Sequence, residues 1–218
     1  MNPGKRRRKQ QINLRRKRAR KNVSFRALTG EERRRVEEQE LSAIRDTWVR
    51  GKDAFDVDGL LSVESLHNIK FKPLLQKLQK RFPFEKLGVL DEGAGRSSLK
   101  EELLRSELGK GLRITTTDVR KNVVPDRVAN VLGLVGEFGK NKFHLVVSTA
   151  GGALYTPAGE KALFQIVSVL KPGGIGIVDT SISNERLHQL AKRLNFSIQK
   201  IHSHSVVFTK NFGISGKK

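Results

Sequence analysis

Between residues 89 and 98 the chain reads Val89-Leu90-Asp91-Glu92-Gly93-Ala94-Gly95-Arg96-Ser97-Ser98. An apolar run enters a glycine-rich turn and leaves it as a helix. Glycine accepts positive φ and lets a ligand approach the backbone with no Cβ in the way. A tight strand-to-helix turn needs such glycines with or without a ligand, so this segment points to a binding loop only in company. That company lies downstream. Asp118 ends the next apolar run, 25 residues after Gly93. A carboxylate there can accept hydrogen bonds from both ribose hydroxyls of a nucleoside. Lys171-Pro172-Gly173-Gly174 then forms a sharp reversal between a helical stretch and an apolar run.

These residues need a frame to hold them. Ser98 and Glu101 stand at capping-box spacing, which specifies the helix start after the turn. From residue 86 on, apolar runs alternate with helical stretches. Strands are expected at 87–90, 113–117, 128–132, 143–147 and 175–178, and helices at 99–108, 160–170 and 184–194. Such alternation implies a parallel sheet with right-handed crossovers. The last two strands, 196–201 and 205–209, lie too close for a helix between them. A tight turn near Ser203 therefore makes the final strand antiparallel. Upstream, Thr29 and Glu32 have capping-box spacing, and Val36, Leu41, Ile44 and Trp48 form one helical stripe. A helix over 29–50 follows, with Trp48 as a docking residue rather than a stacking platform. The stretch 51–70 fits a lid or part of a cleft without identifying any chemistry. A helix over 73–81 has Leu74, Leu75 and Leu78 as its apolar face and is closed by Pro83.

Asp91-x-Gly93-x-Gly95, Asp118, the run Phe143-His144-Leu145-Val146-Val147-Ser148, and Val169-Leu170-Lys171-Pro172-Gly173-Gly174 together resemble class I S-adenosylmethionine-dependent methyltransferases, over about residues 86–210. The resemblance implies an α/β fold: a Rossmann-like, doubly wound, mostly parallel seven-stranded sheet with an antiparallel C-terminal hairpin. It also implies S-adenosylmethionine as cofactor. Asp91 would orient the methionine amino group, and Gly93 and Gly95 would let the backbone pass close to the methionine moiety. Asp118 would bind the ribose, Val119 would pack on the adenine, and Asn130 would accept a hydrogen bond from the adenine amine. Ser148 and Thr149 would face the transferred methyl group. The pattern departs from the family in three places. Ser97 or Arg96 stands where the loop's third glycine belongs. Phe143-His144 replaces Phe-Asp at the start of the fourth strand. Ser148-Thr149-Ala150-Gly151-Gly152-Ala153-Leu154-Tyr155 replaces an acidic-Pro-Pro-Tyr segment, which argues against methylation of adenine or cytosine amines by the usual route.

Methyl transfer from a sulfonium needs mainly in-line placement at about 3–3.5 Å in a dry pocket. A base is needed only where the acceptor must shed a proton first. Tyr155 and His144 are the nearest candidates along the chain, with His144 better read as a structural histidine at a strand edge. His202 and His204 read as turn residues, and His67 and His188 as helix or loop surface. The catalytic candidates are therefore Ser148, Thr149 and Tyr155.

Charge suggests the partner. The chain carries a formal net charge of +21, and twelve Lys and Arg with no Asp or Glu fall between Met1 and Arg26. The clusters Lys5, Arg6, Arg7, Arg8, Lys9 and Arg15, Arg16, Lys17, Arg18, Arg20, Lys21 are candidate nucleic-acid contacts. Such cations release counterions from a polyanion, a logic that RNA, DNA and an anionic membrane all satisfy; RNA or a ribosomal particle is the expected partner. A solubilising tail or a nuclear-import signal would have the same composition. No apolar run approaches the ~18 residues of a spanning helix, so no membrane partner is expected. No cysteine is present, which excludes disulfides and Cys-based metal or nucleophile chemistry, and the five histidines lack metal-ligand spacing. No signal peptide is visible, so a cytoplasmic location is expected, or a nuclear or nucleolar one in a eukaryote. The expected organisation is a disordered basic arm at 1–28, a helical extension at 29–82, the cofactor-binding domain at 83–212 and a flexible tail at 213–218. Three functions fit: an RNA- or ribosome-directed methyltransferase, a non-catalytic RNA-binding protein on that scaffold, and a small-molecule methyltransferase.

Overall fold

A computed structural model describes residues 59–95, 98–120 and 123–213, together with the helical residues Glu31, Glu32, Arg35 and Glu38. The basic arm, Thr29, Trp48, residues 51–58 and residues 214–218 lie outside the described residues.

Seven strands form one sheet in the order β3-β2-β1-β4-β5-β7-β6. β1 (Leu87–Glu92), β2 (Leu112–Asp118), β3 (Arg127–Val128), β4 (Phe143–Ser148) and β5 (Leu170–Asp179) run parallel. β6 (Phe196–His202) and β7 (Ser205–Lys210) close the sheet as a hairpin, with β7 antiparallel to β5. Ser203 takes φ +52° in the connecting turn, as the short spacing requires.

Side chains alternate across a strand, and here both faces are covered. Val89, Leu145, Val147 and Ile177 pack with Val63, Phe71, Leu75, Leu78, Leu99 and Leu103. Those partners belong to α1 (Gly59–Leu66), α2 (Phe71–Arg81) and α3 (Ser98–Arg105). On the other face Leu90, Val146 and Val178 pack with Leu134, Leu163, Ile166, Leu187 and Leu190. These come from α4 (Leu134–Phe138), α6 (Gly159–Val169) and α7 (Asn184–Leu194). The short helix α5 (Gly152–Tyr155) follows β4. Among the described residues no helix is long and apolar enough to cross a membrane.

Four elements differ from expectation. The strand expected at 128–132 is only the two-residue β3, followed by a 3-10 turn at Val131–Gly133. Asn130 is the reason: its Oδ1 accepts from Leu132 N at 2.6 Å and caps that turn. The helix expected at 99–108 stops at Arg105, and Ser106 caps a separate 3-10 turn at Glu107–Gly109. Residues 171–174 do not form a free reversal. They lie inside β5, whose pairing jumps from Phe143↔Leu170 to Leu145↔Ile175. The chain thus bulges at Gly173, where φ is +82°. α2 starts at Phe71, ahead of Pro73, because the first helical turn tolerates proline.

One core contact is unusually close. A Cβ on Gly176 would lie 2.3 Å from the ring of Phe208, which is fully buried and tilted against Phe196 at 4.7 Å. Gly176→Ala is expected to destabilise the protein by about 1–3 kcal/mol through overpacking, read from the midpoint of urea unfolding.

Candidate functional site

The strand order reverses between β1 and β4, and ligands of open α/β sheets bind outside the carboxyl ends of the strands at such a point. β1, β2, β4 and β5 end there in acids and hydroxyls: Asp91 and Glu92, Asp118, Ser148 and Thr149, and Asp179.

Gly93 and Gly95 have φ of +71° and +52°. Gly93 N and Ala94 N donate to Thr117 O at 2.9 and 3.0 Å, which ties the turn to β2. Gly93 has a second role that the sequence did not suggest. A Cβ there would come within 2.5 Å of Gly151 Cα, and a Cβ on Gly151 within 2.6 Å of Glu92 O and Ser148 Oγ. The two loops cross at van der Waals contact because both lack side chains. Arg96 and Ser97 lie outside the described residues.

Asp118 is buried at the end of β2. Its Oδ2 accepts from Gly95 N at 3.0 Å and from Arg120 Nη2 at 3.1 Å. Its Oδ1 accepts from Arg120 N at 2.8 Å and Arg120 Nε at 3.0 Å. Val119 follows, half-buried. Asn130 is buried, and its oxygen, expected to serve an adenine amine, already accepts from Leu132 N. A groove of about 300 Å³ lined by Val128, Ala129, Asn130, Leu132, Gly133 and Glu137 opens beside it.

Glu92, which the sequence did not single out, is as important to the local electrostatics as Asp91. Its Oε2 accepts from Ser148 Oγ at 2.5 Å and its Oε1 from Gly152 N at 3.3 Å. Both carboxyls are buried. Burial first, then the neighbouring Glu92 and Asp118 charges, push Asp91 up to about 7. Burial, with the Asp118 charge adding to it against the Ser148 and Gly152 hydrogen bonds, pushes Glu92 up to about 7.

At the end of β4, Thr149 Oγ1 lies 2.7 Å from His67 Nε2. The other imidazole nitrogen, Nδ1, bonds Ser205 Oγ and lies 3.7 Å from Asp179 Oδ1. Asp179 Oδ2 accepts from Ala150 N at 2.9 Å. His67 was expected on the surface, but it is fully buried. Its partners are 82 and 138 residues away in sequence, so no local pattern could have revealed it. Burial lowers its pKa, with Asp179 opposing. Tyr155, on α5, is half-buried, and burial followed by the Asp179 charge raises its phenol to about 12. His144 sits at the opposite end of β4, where Nδ1 accepts from Gly88 N at 2.8 Å and Nε2 lies 3.3 Å from Glu85 Oε2. It is a structural residue, and His188, His202 and His204 are exposed. The eleven candidate arm contacts lie outside the described residues.

No family model and no curated protein sequence matches the chain. Solved structures do. The Burkholderia thailandensis 1,6-didemethyltoxoflavin-N1-methyltransferase, crystallised with 1,6-didemethyltoxoflavin and S-adenosylhomocysteine, superposes with TM-score 0.50 at 16% identity, over 87% of this chain and 94% of that one. The CurJ carbon methyltransferase superposes with TM-score 0.54 at 11% identity, over 73% of this chain and 58% of that one. At such identities the likeness is one of fold, and it agrees with the strand order and the antiparallel hairpin. The chain has the Rossmann-like fold of class I S-adenosylmethionine-dependent methyltransferases.

Proposed function

We propose that this chain is an S-adenosylmethionine-dependent methyltransferase whose substrate is RNA, or a ribosomal particle, held by the basic arm. The observation that carries the first half is the cluster of three buried carboxylates, Asp91, Glu92 and Asp118, around a glycine turn at the carboxyl edge of the sheet. Arg120 pairs with Asp118, but burying Asp91 and Glu92 beside it is unfavourable without a further cation. S-adenosylmethionine fits on that ground, since it carries an ammonium and a sulfonium on a nucleoside. Asp91 would meet the ammonium, Asp118 the ribose hydroxyls and Val119 the adenine, whose amine would donate to the second lone pair of Asn130 Oδ1. When bound, the cofactor supplies a methyl group already activated on sulfur. The chain's own task is then to orient, to exclude water and to handle a proton at Thr149.

The charge of the arm supports the second half, with twelve cations and no acid in its first 26 residues. Phosphate contacts position a substrate without reading its sequence. A cytoplasmic site of action fits, or a nuclear or nucleolar one in a eukaryote.

Calorimetric titration of S-adenosylmethionine into the full chain tests the cofactor. Micromolar binding is expected. Asp118→Ala should weaken it by about 1–3 kcal/mol, the cost of hydrogen bonds left unmade. An unchanged affinity removes Asp118 from the site. Removing residues 1–28 is expected to abolish most affinity for RNA and flatten its salt dependence, as filter binding at several salt concentrations would show. RNA binding that persists unchanged would assign the arm another role.

A second reading, a non-catalytic RNA-binding protein on this scaffold, draws support from one contact: Gly151 seated on Gly93, above the glycine turn. Absence of cofactor binding up to millimolar concentration would favour it. A small-molecule acceptor is the third reading; 1,6-didemethyltoxoflavin is bound in one structural neighbour.

A further inference from the structure

We infer that His67 is a positioning residue for proton removal, acting through the Thr149 hydroxyl, and that the methyl acceptor is therefore an RNA group that loses a proton on transfer, a 2′-hydroxyl or a ring N–H. This rests on the methyltransferase reading above. The constellation joins four elements that only the fold brings together: His67 after α1, Thr149 after β4, Asp179 at the end of β5 and Ser205 at the start of β7. Ser205 holds Nδ1 with the Asp179 charge beside it, and Nε2 faces the Thr149 hydroxyl, the order of a base held by an orienting group and aimed at an oxygen.

Asp179 lies 3.7 Å from Nδ1, and Ser205 Oγ bonds the same nitrogen. That side of the ring favours the N–H, which leaves Nε2 as the acceptor facing Thr149 Oγ1 at 2.7 Å. His67 is fully buried and cannot meet an acceptor directly, whereas Thr149, though buried, keeps 8% exposure at the carboxyl edge of the sheet. Ala150, next in the chain, takes φ +47° and donates its N–H to Asp179. A non-glycine residue held in that region is strained, and such strain gathers at functional loops. Asp179 therefore fixes the loop that carries Thr149, and its charge lies beside the ring, which Ser205 holds. Tyr155 also faces Asp179, and its phenol stays protonated well above neutral pH, while Glu92 bonds Ser148 and Gly152 on either side of the Thr149 loop. Lys200 bonds the Asn68 carbonyl, next to His67 in the chain, at 2.7 Å.

The proton balance closes within these residues. The acceptor O–H or N–H gives its proton to Thr149 Oγ1 as Thr149 gives its own to His67 Nε2. The freed lone pair forms the bond to the methyl carbon, the carbon–sulfur bond breaks, and its electron pair stays on sulfur. The proton ends on His67 beside the Asp179 carboxylate and leaves to solvent afterwards. An exocyclic amine, which attacks before losing a proton, would need no such relay.

Two readouts test this on the full chain. Imidazole 15N NMR is expected to find His67 neutral and protonated at Nδ1; a proton on Nε2 overturns the proposal. Methyl transfer to bulk ribosomal and transfer RNA from saturating tritiated S-adenosylmethionine, whose cation keeps Asp91 and Glu92 ionised, should rise with pH along one ionisation. His67→Gln and Thr149→Val should each lower kcat about a hundredfold or more and flatten that limb, with KM and the calorimetric affinity for S-adenosylhomocysteine unchanged. Thr149→Ser should rescue the loss seen in Thr149→Val. Unchanged rates and pH profiles overturn the relay. Should His67→Gln fail to fold, Thr149→Val and the NMR tautomer still decide. No binding of S-adenosylhomocysteine by the wild type sinks the methyltransferase reading beneath. Binding without transfer to RNA sinks the RNA acceptor, and this proposal with it.

Discussion

Arg120→Ala is expected to tighten the binding of S-adenosylhomocysteine by about tenfold, or ~1.4 kcal/mol. An ionised carboxylate offers about four acceptor positions. Asp118 has four donors on it: Gly95 N, Arg120 N, Arg120 Nε and Arg120 Nη2. Ribose hydroxyls need two of those positions. The two backbone donors cannot leave without unfolding the turn or the end of β2, so the guanidinium must give way. Removing it in advance spares the ligand that competition. Arg120→Lys, which keeps the charge but loses the planar fork, should fall between. Calorimetry at one fixed salt concentration reads the difference. A weaker complex in Arg120→Ala would identify Arg120 as a ligand contact instead of a competitor.

The second large effect concerns stability. Glu92→Gln is expected to stabilise the ligand-free protein by about 3 kcal/mol above pH 7.5 and to do nothing near pH 4. Burial raises Glu92 from its ordinary 4.5 to about 7. Between those values the unfolded chain is ionised while the folded one holds its proton. Stability therefore falls as pH rises through that window and levels off above it. A change from 4.5 to about 7 amounts to about 3 kcal/mol at ~1.4 kcal/mol per pH unit. Glutamine keeps the shape and can still meet Ser148 Oγ and Gly152 N. Urea unfolding at several pH values checks this, and equal stabilisation at every pH would rule out the charge as its cause. The same physics reaches the ligand: a cation seated among Asp91, Glu92 and Asp118 favours their ionised forms. Binding near pH 6.5 should therefore release protons, seen as an apparent enthalpy that varies with the buffer's ionisation enthalpy.

The sequence by itself determined the order of elements, the doubly wound sheet, the hairpin at Ser203 and the glycine turn after β1. Each is written in local terms, as apolar periodicity, a short connection or a residue that accepts positive φ. It also gave Asp118 its place at the end of β2, because the strand and the acid are neighbours in the chain. Tertiary structure alone decided what those side chains touch. Asn130 reads as a ligand-facing residue, yet folding engages its oxygen in capping the turn that cuts β3 short. Glu92 reads as filler between Asp91 and Gly93, and becomes a buried acid only when Ser148 arrives from β4. His67 reads as surface, and is buried because β4 and β7 close over it from 82 and 138 residues away. Periodicity records which face of an element turns inward. It carries no record of which distant polar group waits there, since that depends on strand order and register, and these are settled only when the whole sheet packs.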